Sequence, residues 1–417
     1  VIGRRRVGKT RLVEECFKDD CITLFIPREK NEKLVCRDWI KEIRGKGIYV
    51  PELYTMKEII EFLCVNCRKV IFLDELQNVI GINKSFLYDL QRILDKYKDC
   101  KVVISGSLIS MTKKLLENYR SPIYGRFDFV IKLAELSFKT ILDMCTDMGY
   151  DATDSVILYS VFGGIPKYYV TLESFRMRPV KFIELMFFKD PFPLVEEVRL
   201  MLREEFGKEF KMYFSILDAV ANGSIRFGEI ASYIGVEANK ISKYMSNLTR
   251  IYELLRKVKL AGSKKKVYAI TSNLVRFWFK FVWSFYPIQD NASEALENFK
   301  KNFNKYVGEV FEEVARSLIE EKFKAKASKL LMFARKNGER ISIDIDAIFQ
   351  EGNETYCFEI KWKKLESYVT AKRILKQLEM KSKLAVPDGK KIHGLVCKSV
   401  SKDLKRKLER DGYIVLS

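Results

Sequence analysis

The residues Gly3-Arg4-Arg5-Arg6-Val7-Gly8-Lys9-Thr10 fit the pattern GxxxxGK(S/T) at every required position. Glycines in such a loop let backbone N–H groups close around phosphate oxygens. Lys9 is spaced to reach the β- and γ-phosphates of a nucleotide, and Thr10 offers a hydroxyl to Mg²⁺. A helix opening near Lys9 turns its positive dipole end toward the anion. A second stretch, Lys69-Val70-Ile71-Phe72-Leu73-Asp74-Glu75, is an apolar run ending in two acids. It reads as a buried parallel strand with carboxylates at its C-terminal end. There Asp74 would hold Mg²⁺ through water, and Glu75 would polarise an attacking water. Val102 to Ile104 reads as a third strand, followed by Ser105-Gly106-Ser107. Polar residues at this place sit beside the γ-phosphate in NTPases with a strand inserted between the other two, which makes Ser107 a candidate contact; a plain turn is the competing reading.

The elements that must position these groups alternate. Cys21 to Ile26 reads as a peripheral strand, and helical periods fill Arg37 to Ile43, Met56 to Cys64 and Ser85 to Tyr97. In the last of these, Phe86, Leu90, Ile93 and Tyr97 share a face. Strand and helix in alternation imply a parallel sheet covered on both sides. Only Val1 and Ile2 precede Gly3, so the chain reads as a fragment lacking most of its first strand.

Composition bounds the rest. The 417 residues correspond to about three domains at ~150 residues each, and no apolar run is long enough for a membrane span. Nine scattered cysteines read as reduced thiols in a cytoplasmic protein, with Cys64 and Cys67 as core thiols rather than a zinc or redox pair. His393 is the only histidine, which excludes multi-histidine metal sites. The net charge is +20, of which +9 lies between Phe206 and Phe285 and +9 between Lys301 and Ser417. A basic excess concentrated this way favours an anionic partner, nucleic acid first.

In the middle of the chain, helical periods cover Phe210 to Ala221, Arg226 to Tyr233 and Glu237 to Leu248. Strands Leu254 to Leu260 and Lys266 to Ile270 follow, around Ala261-Gly262-Ser263. Three helices and a hairpin make a winged helix, with Glu237 to Leu248 as the recognition helix. Asn239, Lys240 and Lys243 on that helix, with Lys264, Lys265 and Lys266 at the hairpin tip, are the candidate contacts to duplex DNA; Asn239 and Asn247 could read base edges. Packing of this module within the protein is the alternative. The aromatic run from Trp278 to Tyr286 reads as packing before a last domain that begins after Asp290.

In that domain Gly308-Glu309-Val310-Phe311-Glu312 reads as opening a helix to about Lys322. Ile341 to Phe349 alternates as a strand with Asp344 and Asp346 on one face. After a turn, Thr355 to Trp362 carries Glu359-Ile360-Lys361. Period two puts Glu359 and Lys361 on the same face, and an aspartate from the neighbouring strand completes an oxygen-rich site suited to Mg²⁺. A helix (Thr370 to Lys383) and a strand (His393 to Lys398) follow. Aspartate, hairpin, Glu-x-Lys resembles the restriction-endonuclease-like PD-(D/E)xK domains. The resemblance implies Asp346 and Glu359 as metal ligands, Lys361 positioning the nucleophile, Asp344 as second choice and Glu312 as the helical acid. A degenerate fold, its acids solvated or paired with lysines such as Lys363 and Lys364, is the alternative.

The whole chain resembles the archaeal ATPase family, P-loop NTPases of the STAND type within the AAA-like group. The likeness rests on Gly3 to Thr10, Leu73-Asp74-Glu75, Ile104-Ser105-Gly106-Ser107, Ser121-Pro122-Ile123-Tyr124-Gly125-Arg126 and Gly163-Gly164-Ile165-Pro166-Lys167-Tyr168. It implies ATP and Mg²⁺ as ligands, Arg126 as an arginine that approaches the γ-phosphate of its own or a neighbour's nucleotide, and Pro166 and Lys167 in a nucleotide-proximal lid. The implied architecture is an α/β P-loop core (1–135), a helical lid (136–205), a winged helix (206–285) and an α/β nuclease-like domain (286–417). The implied function is an ATPase acting on or regulated by DNA, possible nuclease gating included. A non-cleaving DNA-binding regulator and a protein-binding switch with nucleotide-dependent homo-oligomerisation are the rivals.

Overall fold

In the computed structural model, which describes residues 1–189, 194–261, 266–285, 292–336 and 339–417, three parallel strands, β1 (Cys21–Phe25), β2 (Val70–Asp74) and β3 (Val102–Ile104), form a sheet in that order. β2 is buried along its whole length, as its unbroken apolar run requires of a strand covered on both faces. Alternate side chains divide the core. Ile22, Leu24, Ile71, Leu73 and Ile104 meet the helices Glu32–Gly45, Met56–Asn66 and Phe86–Lys96. Val70 and Phe72 meet Val13 of the helix Lys9–Phe17. Val1 and Ile2 extend the sheet beyond β3: the Gly106 N–H donates to the Val1 carbonyl (3.2 Å), and Ile2 bridges Gly106 and Lys132 in parallel. β3 therefore lies between β2 and the strand that enters the phosphate-binding loop.

One expectation is corrected here. Cys64 and Cys100 are joined in a disulfide, so the thiols are not all reduced; Cys67 is free. The pair lies 36 residues apart in sequence. It meets because the helix Phe86–Lys96 leads back to the start of β3, a closure that cysteine spacing alone does not reveal.

The chain divides into two compact units that interleave along the sequence. One comprises Val1–Leu136, Gly164–Ser174 and Arg203–Gly207; the other comprises Ser137–Gly163, Phe175–Leu202 and Lys208–Ser417. In the second unit an aromatic core forms around Phe277 to Phe281. Phe277 lies 5.0 Å from Phe187 between ring centroids, Phe281 lies 5.4 Å from Tyr306, and Trp278–Val282 is a π-helical turn. The helix expected to open at Gly308 instead runs from Ala292 to Phe323. Phe299, Phe303 and Tyr306, spaced by four and three residues, stack along its first half, so helical periodicity continues straight through Gly308.

Helices Phe210–Ala221, Phe227–Ile234 and Ala238–Arg250 precede an antiparallel pair, β4 (Leu255–Lys259) and β5 (Lys266–Ile270). Lys264 and Lys265 lie outside the described residues. The C-terminal strands β6 (Ser328–Lys336), β7 (Glu339–Glu351), β8 (Glu354–Leu365), β9 (Lys390–Val400) and β10 (Ile414–Leu416) form a mixed sheet. β6, β7 and β8 pair antiparallel, whereas β8, β9 and β10 pair parallel. Among the described residues no helix is long and apolar enough to cross a membrane.

His393 on β9 shares a 2.7 Å hydrogen bond with the Ser382 hydroxyl of the helix Tyr368–Ala385. Burial pushes its pKa down. As pH falls through about 6.5, the unfolded chain therefore takes up this proton before the folded one does. Stability should decline through the window between that value and the folded-state pKa, then stop responding to this group. The lone imidazole makes the test direct: its C–H resonance should titrate below 6.5, and a midpoint above it would reverse the sign.

Candidate nucleotide site and C-terminal ion-pair cluster

The two loop glycines are required for different reasons. Gly8 sits at φ 96°, in the left-handed region. A Cβ on Gly3 would lie 2.6 Å from the Leu133 carbonyl oxygen. Between them the loop turns so that Lys9, buried, donates to the Arg4 carbonyl at 2.9 Å. Burial lowers the Lys9 pKa, while Glu75 and Asp74 pull the other way. The Thr10 hydroxyl donates to Asp74 Oδ2 at 2.8 Å, and Ser105 donates to the other Asp74 oxygen. Glu75 lies immediately beyond β2 at φ 61°, a strained conformation for a side-chain-bearing residue. Its Oε2 accepts from the Ser107 hydroxyl at 2.5 Å and from the Gln77 amide. Lys9, Thr10, Asp74, Glu75, Ser105 and Ser107 thus converge at the C-terminal ends of the strands, where ligands bind in open α/β sheets. The Thr10 hydroxyl and the Asp74 carboxylate are hard oxygen donors of the kind that could hold Mg²⁺.

Later segments of the same unit hold the three loop arginines. Arg4 faces Glu135 at 3.9 Å, Arg5 pairs with Glu204 at 2.7 Å, and the Arg6 guanidinium lies 5.8 Å from the centre of the Tyr168 ring. Tyr168 belongs to the helix Pro166–Phe175, which Pro166 opens. Gly164 just before it donates to Glu135 at 3.3 Å. Gln77, Glu135 and Glu204 are new to the site; only Gln77, two residues beyond Glu75, carries a local signal in sequence.

Arg126 is not brought to this set. Its guanidinium pairs with Asp95 at 3.2 Å and donates to the Tyr124 carbonyl at 3.1 Å. Asp95 is in the last turn of the helix that returns to the start of β3, away from the strand ends that carry Lys9 and Asp74.

In the second unit, Asp346 of β7 and Glu359 and Lys361 of β8 come together as period two requires. Lys361 Nζ lies 2.7 Å from Glu359 and 3.4 Å from Asp346. Both carboxylates are buried. Other cations complete the cluster. Lys329 lies 2.9 Å from Glu312, 3.7 Å from Asp344 and 3.6 Å from Asp346, and Lys381 lies 3.4 Å from Glu359. Arg316 is 3.8 Å from Glu312. Burial and then Asp346 push the Glu312 pKa up against the pull of Lys329. Burial opposes the charge on Lys329, yet Glu312, Asp344 and Asp346 raise its pKa on balance. Lys364, considered as a partner for these acids, pairs instead with Glu366 at 3.2 Å. Among the described residues no three acids, cysteines or histidines are grouped to hold a metal ion.

On the expected recognition helix, Asn239 and Lys240 are exposed, and so is Lys266 on β5. Lys243 is exposed too but pairs with Glu209 at 3.0 Å. Asn247, a candidate for base reading, instead donates to the Tyr213 hydroxyl at 2.7 Å inside the fold.

The comparisons agree with the nucleotide-site geometry. Residues 1–142 match the family model described as an AAA domain, and residues 278–374 match one described as archaea bacterial proteins of unknown function. The chain is 28% identical over 409 residues to uncharacterized protein MJECL04 of Methanocaldococcus jannaschii, covering 96% of this chain and 90% of that one. The Walker-type ATPase PABY2304 of Pyrococcus abyssi superposes with a TM-score of 0.52 at 17% identity, over 67% of this chain and 89% of that one. Residues 1–142 are therefore similar to AAA domains, and the fold around them is that of a P-loop NTPase with a parallel sheet.

Proposed function

We propose that this chain is an ATP-hydrolysing switch of the STAND type that acts on, or is regulated by, duplex DNA in the cytoplasm. The observation that carries the reading is the Thr10–Asp74 contact at 2.8 Å beside a Glu75 fixed by Ser107. Lys9 would turn from the Arg4 carbonyl to phosphate oxygens, Thr10 and Asp74 would hold Mg²⁺, and Glu75 would accept a proton from the water that attacks the terminal phosphorus as its bond to the departing nucleoside diphosphate breaks. Bound Mg²⁺ supplies charge neutralisation on the phosphate oxygens. Pro166 and Lys167 belong to the lid, 136–205. Arg126, held by Asp95, serves a neighbouring copy's nucleotide, so nucleotide-dependent homo-oligomers follow from this reading. Residues 206–285 act as a winged helix that meets DNA phosphates through Lys240, Lys243 and Lys266, with Lys264 and Lys265 between β4 and β5.

In this reading residues 286–417 are a nuclease-like domain, supported by the approach of Asp346, Glu359 and Lys361. The neutralised carboxylates favour a second reading, in which this domain grips duplex DNA without cutting it. Hydrolysis by the full chain, measured with and without duplex DNA across a salt series, tests the proposal. Turnover should rise with DNA. Replacing Lys240, Lys243 and Lys266 by alanine should make the logarithmic salt slope of DNA affinity shallower by about 0.9 for each phosphate no longer neutralised. An unchanged slope would remove the winged helix from DNA contact, and indifference of turnover to DNA would leave a switch that addresses a protein.

A further inference from the structure

We propose that Lys329 is a resident counter-ion that fills the cation position of the C-terminal carboxylate set and keeps it closed to divalent metals. The proposal rests on the nuclease-like reading of that set and corrects its expected Mg²⁺ site. Three observations carry it: where the ammonium sits, how the strands aim it, and the charge that results.

Lys329 Nζ touches Glu312, Asp344 and Asp346 at once, at 2.9, 3.7 and 3.6 Å. These acids come from the helix Ala292–Phe323 and from β7, so the ammonium stands where the helical and strand acids converge. The register of β6 on β7 shifts at this residue: Ser328 pairs with Ile348, but Leu330 pairs with Ile345. Asp346 and Ala347 thus face the single residue Lys329. Bulges of this kind re-aim side chains, and this one faces Lys329 with the Asp346 segment.

Asp344 Oδ1 is buried without a hydrogen-bond partner, whereas the oxygens of Asp346 and Glu359 are engaged. Asp346 Oδ2 accepts the Ile360 N–H at 2.9 Å and lies 3.4 Å from Lys361. Glu359 is held between Lys361 and Lys381. Glu312, Asp344, Asp346 and Glu359 therefore face Lys329, Lys361, Lys381 and Arg316, and the cluster is neutral. A divalent ion entering it would add two positive charges beside ammonium groups with no net negative charge to receive them, and the one unpartnered oxygen, Asp344 Oδ1, is a single ligand. Mg²⁺ needs oxygens at about 2.1 Å in near-octahedral array, which these lysine-separated acids do not offer until Lys329 leaves.

The test is Mn²⁺ binding followed by electron paramagnetic resonance on the full chain without nucleotide, in an Asp74→Asn background that silences the P-loop site. The parent should bind no Mn²⁺ at the C-terminal set. Lys329→Met should acquire one site, at least ~100-fold tighter than the weakest binding the titration of the parent could detect, the scale of removing an adjacent unit charge at intermediate dielectric. Adding Asp346→Asn should abolish it. Should Lys329→Met fail to fold by circular dichroism, the parent still decides. Tight Mn²⁺ binding by the parent that Asp346→Asn removes would overturn the proposal and leave the nuclease-like reading standing. A folded Lys329→Met that takes up no Mn²⁺ would overturn both.

Discussion

Glu75→Gln is expected to keep nucleotide bound and to lower turnover by about 10²–10⁴-fold, the range a positioned general base contributes. Glutamine matches glutamate in shape, so the Ser107 hydroxyl and the Gln77 side chain retain an oxygen partner. What disappears is the negative charge that accepts a proton from water. The residue's position supports so specific a role. It occupies a left-handed conformation that costs about 1–2 kcal/mol for an L-residue, and two side chains hold it there. Lys9→Ala should act on a different quantity, because it removes the ammonium that meets phosphate and so abolishes binding. Fluorescent-nucleotide titration and phosphate release on both variants separate the two effects. Undiminished hydrolysis by Glu75→Gln would move the base elsewhere; tight binding by Lys9→Ala would overturn the role of the loop lysine.

What was legible in sequence is chemistry carried by short segments. GxxxxGK(S/T) and an apolar run ending in Asp-Glu are local, and the parallel strand that presents Asp74 follows from its own residues. The Asp346–Glu359–Lys361 cluster was legible for the same reason, since period two and one hairpin bring it together. The rest depends on long-range closure. Lys329 stands seventeen residues from Asp346, and its aim depends on a register shift that no local pattern announces. The Cys64–Cys100 disulfide and the Arg126–Asp95 pair depend on where a helix returns to the sheet. The helix start at Ala292 was hidden by Gly308, read as punctuation where the structure holds a helical residue with only Trp362 near its missing Cβ, at 3.5 Å.

Gly164→Ala is expected to destabilise the P-loop unit by about 3 kcal/mol or more, at the upper end of overpacking costs, and to weaken nucleotide binding as well. A Cβ there would lie 1.9 Å from the Leu136 carbonyl oxygen, 2.5 Å from its nitrogen and 2.7 Å from its carbonyl carbon. These are all backbone atoms, so no rotamer change relieves the clash and the two segments must separate. Separation breaks the hydrogen bond from the Leu136 N–H to the Gly164 carbonyl, 2.8 Å long. It also moves Gly164 from Glu135, which faces Arg4 of the loop, and shifts the start of the helix whose Tyr168 underlies Arg6. The damage therefore reaches two arginines of the phosphate-binding loop from a substitution outside that loop. Gly125→Ala is the matched control. It has φ +68° but no atom within 4 Å of the added methyl group, so it should cost only the left-handed penalty of about 1–2 kcal/mol. Thermal melting and nucleotide titration of both variants give the comparison. Equal, small shifts for the two would mean that the Gly164–Leu136 approach is looser than the structure places it, and that the lid motif reaches the loop by another route.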